Sequence, residues 1–525
     1  MLSSGLQWIK DQACMIITFG LIAIFCVAVI VVLQRAHVSD KSFTDYAVAD
    51  RSFGPAYQMM SFLNTWWPGS IFLALTGLAA SGGVIGFYMP IYSLLTVVLM
   101  YVMAERVWLW GKLFDLKTQP DLFALRYNSR AFAVIGALVG IVSGIPWLVL
   151  GFKGLGDLFQ SLSLGAMGAT SAVLIGVVLM VIRQFWTIRM GMRGVVISDM
   201  LQGIVAYVGG TLIVFGLIAW LIWGHGFSVM ALHAPMLQAP GLGSKVGPLY
   251  LFAIIFSGAI GGWCWPSIFI RIYTADSVRS VQRAGALGAP ISFFYAMALV
   301  VLGLLASFLP EVAKAPDTMW FTVCRMAGGP LLLGLGGVAV LAGTMGSVDG
   351  GIQATGAQVA NDIVGNYRPL NHKQSVVIAK IAMIAVTLIS ALLATRTIPH
   401  LFTLAILSYQ GIIQLAVPQY LGIFWKRGNA VGAIAGTLAG FTIAIILQNA
   451  YPTSIDWAWG LTSGIIALIV NAAIYVGCAV LLPSSASERQ RVDGLFALTG
   501  SHLPSAGTVD ALALQPRLSA SSRRA

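Results

Sequence analysis

Residues 61–70 read Ser-Phe-Leu-Asn-Thr-Trp-Trp-Pro-Gly-Ser and interrupt an apolar run that extends from residue 55 to residue 79. Pro68 has no amide hydrogen to donate and Gly69 tolerates unusual dihedral angles, so we expect the helix to break here. An unwound stretch frees backbone carbonyls, and carbonyls inside a membrane are what a desolvated cation requires. An ordinary proline kink is the alternative interpretation.

The composition around this stretch is that of a membrane protein. The chain has 525 residues, of which 58% are hydrophobic and 9% charged, whereas a soluble domain carries about 25% charged residues. The formal charge of +12 is spread over short loops without interleaved aromatic residues, which excludes nucleic acid as a partner. Five cysteines form no CxxC pair, so neither a disulfide framework nor a metal site follows. We therefore predict one all-α, polytopic membrane domain embedded in the lipid bilayer.

Thirteen runs are long enough to cross a hydrocarbon core, which takes roughly 20 helical residues. Residues 13–34 are too long for a signal-peptide core and are read as an uncleaved first helix. With the N-terminus outside, six of the 30 Lys and Arg residues are external and the remaining 24 are cytoplasmic, which fits the positive-inside rule. This predicts a multi-pass protein of the inner (plasma) membrane. The runs are 13–34, 55–79, 84–108, 131–152, 164–184, 195–223, 247–273, 285–308, 331–357, 376–396, 399–425, 430–449 and 457–482.

Two acidic residues lie well inside these runs. Asp349 stands in a stretch of small residues from Gly343 to Gly356, where it must face a partner, water or a bound cation, because an unpaired charge in lipid is costly. Asp199 lies about a turn inside the sixth run. It is either a helix cap or part of a cation relay. Ser347 and Thr344 add hydroxyl oxygens to the ninth run.

Polar and aromatic residues interrupt two further runs. Gly261-Gly-Trp263-Cys-Trp265-Pro266 predicts a second broken helix with large aromatic surfaces beside it. Ser408-Tyr-Gln-Gly411, followed by Gln414, places amides and a phenol inside the eleventh run, where they line a cavity or bond between helices. Together with two residues at the first break, these give our candidate substrate-binding residues: Thr65, Trp66, Trp263, Trp265, Tyr409, Gln410 and Gln414.

Enzymatic motifs are missing from the sequence. It contains no Walker A loop and no GxSxG nucleophile motif, and none of its six histidines lies deep in a run. We therefore expect no enzymatic activity and no prosthetic cofactor. No protein partner is deducible.

Several segments resemble the sodium/solute symporter family, whose fold is the inverted repeat of LeuT-type transporters. The most specific segment is Pro418-Gln-Tyr-Leu-Gly422-Ile-Phe-Trp425-Lys426-Arg427, and the resemblance runs in order from about residue 45 to 445. The other segments are Asp45–Pro55, Gly191–Gln202, Pro266–Ala275 and Ala342 through Ile363.

The resemblance implies a five-plus-five core whose first and sixth core helices are broken. The implied domains are an extra transmembrane helix and loop (1–54), the transport core (55–425), two further transmembrane helices (426–482) and a disordered cytoplasmic tail (483–525). Implied function is symport of a small organic solute with Na+ as the coupling ion, by alternating access.

The resemblance also implies a sodium site. Its backbone carbonyls fall on Asn64 and Trp67, and its hydroxyl pair falls on Gly346 and Ser347. Gly346 lacks a hydroxyl, which weakens sodium binding unless water, Thr344 or Asp349 replaces that ligand. We thus take Asn64, Trp67 and Ser347 as Na+ ligands, with Gly346, Asp349 and Asp199 as further members of the cation site.

Other functions stay open at this stage. Proton coupling through Asp199 or Asp349 competes with sodium coupling. A channel lacks a visible filter or charged ring, and a membrane sensor lacks a signalling domain after the core. The segments Met89-Pro-Ile-Tyr92 and Gln119–Tyr127 resemble those of members that handle monocarboxylates or related small metabolites. No basic residue is expected at mid-membrane, so a carboxylate would rely on the N-terminal end of a half-helix.

Overall fold

The computed structural model describes residues 2–36, 42–396 and 401–498. Helices dominate these ranges, in which the only β pairing consists of two isolated bridges. Long apolar sequences give this result because a backbone in lipid must satisfy its hydrogen bonds internally. The prediction of an all-α protein is confirmed.

The first half of the chain contains nine α-helices. Within α8 the backbone bends at Gly191, which has a φ of +59°, and wider helical turns continue from α8 into α9. The bounds are α1 Leu2–Arg35, α2 Phe43–Val48, α3 Pro55–Trp66, α4 Ser70–Gly82, α5 Tyr88–Leu113, α6 Gln119–Tyr127, α7 Arg130–Leu162, α8 Ala169–Gly203 and α9 Gly210–Ala219.

The second half contains twelve more. Its longest helix, α14, bends at Gly328 and Gly329 just before Pro330. The bounds are α10 Tyr250–Gly261, α11 Pro266–Thr274, α12 Val278–Ala306, α13 Pro310–Lys314, α14 Met319–Gln358, α15 Gly365–Tyr367, α16 His372–Ala394, α17 Leu401–Ile412, α18 Gly422–Phe424, α19 Ala430–Ala450, α20 Ser463–Leu481 and α21 Ala486–Ala497.

Both predicted helix breaks are present. The chain leaves helical geometry between Trp66 and Ser70, and the helix pair Tyr250–Cys264 and Pro266–Thr274 is bent by 49°. In each case a proline follows the break and begins, or nearly begins, the next helix, because proline at the first turn loses no helical hydrogen bond.

Nine helices in the described ranges are long and apolar enough to cross a membrane, or ten if the bent pair counts as one span. This number is lower than thirteen because several predicted runs join into one continuous helical segment, such as Ala169–Gly224 and Ser70–Leu113. The eleventh predicted run instead divides into short helices. The count of thirteen and the outside position of the N-terminus therefore stay predictions.

Helix α14 lies at the centre of the bundle and α1 at its edge. In the most apolar window of Pro316–Tyr367, 83% of the residues are buried inside the protein, against 28% for the N-terminal helix. Helix α14 packs against α1, α3, α7, α8 and α16. Side chains of α14 thus meet both the first broken helix and α8.

The segment that follows the last membrane helix is ordered up to residue 498. Ser485 caps α21 by accepting a hydrogen bond from the amide of Glu488. Val492 and Leu495 of α21 are buried, and Arg491 donates to the carbonyls of Leu125 and Arg126 at 2.8 and 2.9 Å. The prediction of a disordered tail from residue 483 is wrong for Ala486–Ala497, because these apolar residues share a face that packs on the core. Residues 499–525 lie outside the described ranges.

Candidate functional site

The first helix break is held against α14 by close backbone approach. A Cβ atom on Gly69 would overlap the carbonyl oxygen of Val340, so only glycine fits at this position. The hydroxyl of Tyr207 donates to the carbonyl oxygens of Leu63 at 2.7 Å and Trp67 at 2.9 Å. Trp67, a predicted ligand through its carbonyl, therefore presents that oxygen toward α14 and shares it with a phenol.

Asn64 lies one turn before the break and is fully buried. Its amide nitrogen donates to Oδ1 of Asp199 at 3.1 Å and to Oε1 of Gln202 at 3.2 Å. A Cβ atom on Gly346 would overlap this same nitrogen. The structure thus brings three predicted members of the cation site, Asn64, Gly346 and Asp199, into direct contact.

Asp199 is the centre of a polar cluster rather than a helix cap. It lies eight residues past the bend at Gly191, inside the second part of α8, and its carboxylate bonds to Ser61 and Asn64 rather than to an amide at a helix start, so the cap alternative is wrong. Its Oδ2 accepts a hydrogen bond from Ser61 at 2.6 Å and forms an ion pair with Arg271 at 3.3 Å. Both charged side chains are almost completely buried, at 0% and 1% exposure.

Arg271 is a basic residue buried beside the two broken helices, whereas the sequence led us to place the basic residues in loops. It extends from α11, directly after the second helix break, and also donates to Oγ1 of Thr65 at 2.6 Å from Nη2 and 3.2 Å from Nε. Thr65, a predicted substrate residue, is therefore engaged by Arg271 and packs beside Gly350 of α14. A guanidinium has five donors, which lets it join the two broken helices and α8 at one point.

Asp349 has a basic partner of its own. Arg183 of α8 forms an ion pair with it, and their side chains are 3% and 0% exposed. Arg183 also donates to the hydroxyls of Thr187 at 2.7 Å and Ser198 at 2.6 Å. The sequence left open whether Asp349 faces a side-chain partner, water or a bound cation, and the structure shows a side-chain partner, Arg183.

Ser347 and Thr344 have different roles. The hydroxyl of Ser347 accepts a hydrogen bond from the indole nitrogen of Trp147 at 3.2 Å, which leaves its second lone pair for another ligand. The hydroxyl of Thr344 donates to the carbonyl of Val340 in its own helix at 2.8 Å. Ser347 therefore stays a candidate ligand, and Thr344 is turned toward its own backbone.

A small cavity lies near both breaks and carries no charged side chain on its wall. It measures about 20 Å³, which is room for roughly one water molecule. Ser257 lines this cavity, and its hydroxyl has no hydrogen-bond partner among the described residues. The wall consists of aromatic, aliphatic and a few polar residues: Ile71, Tyr88, Tyr92, Trp147, Ile254, Ser257, Gly258, Ala405, Ile406, Tyr409 and Gln410.

Of the seven predicted substrate residues, Tyr409 and Gln410 line this cavity. Trp265 lies directly behind it, with its ring centroid 5.5 Å from that of Tyr409. Trp66 packs 5.9 Å from Tyr92 by the same measure. Trp66 and Trp265 thus form a second aromatic layer around the cavity.

Three of the seven residues are engaged elsewhere. Thr65 bonds to Arg271, as described above. Trp263 stacks on Phe62 with ring centroids 5.2 Å apart and donates to the carbonyl of Thr96 at 2.9 Å. Gln414 donates to the carbonyl of Gly464 at 3.0 Å and links the core to α20.

Sequence reasoning missed several residues of this region. Arg183 and Arg271 stand at the ends of apolar runs, a signal that we assigned to cytoplasmic loops. Tyr207, Tyr88 and Trp147 had no distinguishing signal, because aromatic residues are common in membrane helices. In the described ranges no group of three or more His, Cys, Asp or Glu side chains is arranged to hold a metal ion.

The chain is similar in sequence to curated symporters. Two curated relatives are an uncharacterised symporter of Bacillus subtilis, YodF, at 24% identity over 475 residues (88% of this chain and 92% of the relative), and a sodium/proline symporter of Staphylococcus aureus, at 24% over 458 residues (82% and 85%).

Solved structures show the same fold. A Na+-coupled sialic acid symporter in a substrate-bound outward-open state superposes with a TM-score of 0.70 at 15% identity, covering 91% of this chain and 99% of that one. Mhp1, a nucleobase-cation-symport-1 family transporter in a closed conformation, gives 0.54 at 13% identity, covering 87% and 99%. The model of the sodium:solute symporter family matches residues 46–440, and the chain belongs to that family.

Proposed function

We propose that the protein is a secondary active symporter that couples uptake of a small organic solute to an inward sodium gradient by alternating access. The observation that carries the proposal is the break between Trp66 and Ser70. There the carbonyl oxygen of Trp67, which also accepts a hydrogen bond from Tyr207, lies 3.5 Å from the Cβ position of Gly343 on α14, about one turn before the Gly346–Ser347 pair. Carbonyl and hydroxyl oxygens from two helices suit a hard, monovalent cation, and their separation on two helices makes its binding sensitive to helix movement.

The proposed topology is thirteen transmembrane helices with the N-terminus outside, in the inner (plasma) membrane. The proposed core has five plus five helices, in which α3–α4 and α10–α11 are the broken ones. The two helix breaks and the likeness in fold to two transporters of known structure support this arrangement.

We further propose a monocarboxylate or related small metabolite as the solute. Tyr92 of the Met89–Tyr92 segment lines the cavity, and the hydroxyls of Tyr409 and Ser257 provide neutral donors for an acceptor group. Buried neutral donors bind a carboxylate without the desolvation cost of a second charge.

Uptake into proteoliposomes tests the symport itself. With a panel of labelled monocarboxylates and an inward sodium gradient, we expect at least one solute to accumulate above its outside concentration and to be released when the gradient is collapsed. Equilibration without accumulation would indicate a channel and contradict the proposal. Tyr409→Phe serves as a matched variant, because it removes one donor from the cavity while preserving the ring.

Proton coupling is the second candidate. The observation that favours it is the burial of two carboxyl groups, Asp199 and Asp349, inside the bundle. Both, however, have an arginine partner within the protein, which already compensates their charge. This pairing makes sodium the preferred coupling ion.

A further inference from the structure

Gly346 occupies a position where the resemblance implies a hydroxyl ligand. The space that a side chain would fill there is taken by the carboxamide of Asn64: a Cβ atom on Gly346 would overlap its nitrogen and lie 2.5 Å from its Cγ. The same Cβ atom would lie 2.7 Å from Oδ1 of Asp199. A larger residue at 346 therefore requires the carboxamide of Asn64 to leave its observed position.

The orientation of this carboxamide is fixed by its neighbours. Both of its contacts, Oδ1 of Asp199 and Oε1 of Gln202, are oxygens that accept hydrogen bonds, so the nitrogen faces them and the oxygen points away. In the described part of the chain Oδ1 of Asn64 has no hydrogen-bond partner, and the residue is 0% exposed. A buried amide oxygen without a donor is rare in folded proteins.

Of the other replacements for the missing hydroxyl, Asp349 is engaged by Arg183. Thr344 donates its hydrogen to Val340 of its own helix and keeps the lone pairs of its oxygen, so it stays the competing ligand on α14. Asn64 stands instead on the broken helix itself, one turn from the Trp67 carbonyl, and touches the residue whose ligand is missing.

We propose that Asn64 and Gly346 are a matched pair, in which the side-chain oxygen of Asn64 supplies the cation ligand that Gly346 lacks. This inference rests on the proposed sodium coupling. It assigns to Asn64 a side-chain role in addition to its backbone carbonyl. The ligand thereby moves from α14 to the broken helix, and the cation contacts α14 mainly through Ser347.

The test is a sodium titration of purified protein without solute, followed by tryptophan fluorescence, since Trp66 and Trp67 adjoin Asn64. We expect Asn64→Ala to raise the sodium midpoint about tenfold or more, the range found when groups supporting a bound metal are removed. Gly346→Ser alone should also raise it, because the new side chain displaces the carboxamide. In Asn64→Ala/Gly346→Ser the serine has the vacated space, and we expect a midpoint at least threefold below that of Asn64→Ala.

Two further variants serve as controls for the sodium titration. Asn471 is also fully buried and also has an amide oxygen without a partner in the described ranges, but it lies on α20. Asn471→Ala should leave the sodium midpoint within twofold of wild type. A second variant, Asn64→Ser, keeps an oxygen at position 64 and should bind sodium better than Asn64→Ala.

Two results would overturn the pairing: an unchanged midpoint in Asn64→Ala, or a double variant no better than Asn64→Ala. A wild-type protein that shows no sodium response in either fluorescence or uptake would instead contradict the proposed function. The two failures are thus distinguishable.

Discussion

Replacing Arg271 by methionine should destabilise the protein strongly, because it leaves the carboxylate of Asp199 buried without its counter-charge. The two groups are 3.3 Å apart with side chains at 1% and 0% exposure. Removing one partner of a buried pair costs about 3–5 kcal/mol. Ser61 and Asn64 still donate to Asp199 in the variant, so we expect a loss near the lower end, about 3 kcal/mol in the free energy of unfolding.

A double-mutant cycle adds Asp199→Asn, which removes the carboxylate charge that Arg271→Met leaves without a partner. In Arg271→Met/Asp199→Asn no isolated charge is buried, so the double variant should be more stable than Arg271→Met alone. Residues in direct contact show coupling energies of about 0.5–3 kcal/mol, and we expect a value in the upper part of that range. Denaturant unfolding of the purified protein, with all four variants in one detergent, measures it.

A matched control uses another buried arginine. Arg126 is 1% exposed and donates to backbone carbonyls, among them Gly422 at 2.8 Å and Trp425 at 2.9 Å. Arg126→Met combined with Asp199→Asn should give additive losses. The reasoning is refuted if Arg271→Met loses less than about 1 kcal/mol, or if its cycle with Asp199→Asn is as additive as the control.

Three further predictions concern the cation site and the helix break. Ser347→Ala should raise the half-saturation concentration of the driving cation in uptake assays, since it removes a ligand hydroxyl; unchanged cation dependence would remove Ser347 from the site. Asp199→Asn should slow transport more than it weakens solute binding, measured by uptake rate and equilibrium binding, and equal effects would refute a role in the transport step. Tyr207→Phe should lower the free energy of unfolding by about 1–3 kcal/mol, the range for buried groups left unpaired, because the carbonyl of Trp67 loses its donor, whereas the carbonyl of Leu63 keeps the amide of Trp67. A loss equal to that of Tyr420→Phe, whose hydroxyl donates to Ile260, would argue against a special role at the break.

The features that depend on local chemistry were predictable from the sequence. Both interruptions were predicted from prolines that stand beside glycine and tryptophan residues, at Pro68–Gly69 and at Pro266. Proline alone is not sufficient, because α7 continues through Pro146 and α12 through Pro290. The missing ligand at Gly346 was inferred from the family resemblance and stays a prediction. Asp199 and Asp349 were identified as functional candidates because carboxylates are costly in lipid.

The pairings that depend on tertiary approach were not predictable. Arg271 and Asp199 are 72 residues apart, and nothing in the sequence indicates that α11 reaches α8. The same holds for Arg183 and Asp349. Both arginines lie at the ends of apolar runs, where a cytoplasmic loop and a buried ion pair have the same sequence pattern.

Helix α21 is another element whose burial was not predictable from the sequence. Residues 486–497 are polar overall, with mean apolar content too low to indicate burial, yet Val492 and Leu495 are 4% and 0% exposed. Their burial depends on the surface that Trp110 and Arg126 offer, which only the folded core creates. The cavity wall is a similar case, because Tyr88 and Tyr92 of α5 meet Trp147 of α7 and Tyr409 of α17 there.

The most direct test of the central claim is solute uptake into proteoliposomes with sodium and proton gradients imposed separately. The account predicts that an inward sodium gradient drives accumulation at equal pH on both sides, and that an inward proton gradient without sodium does not. Accumulation driven by protons in the absence of sodium would contradict it.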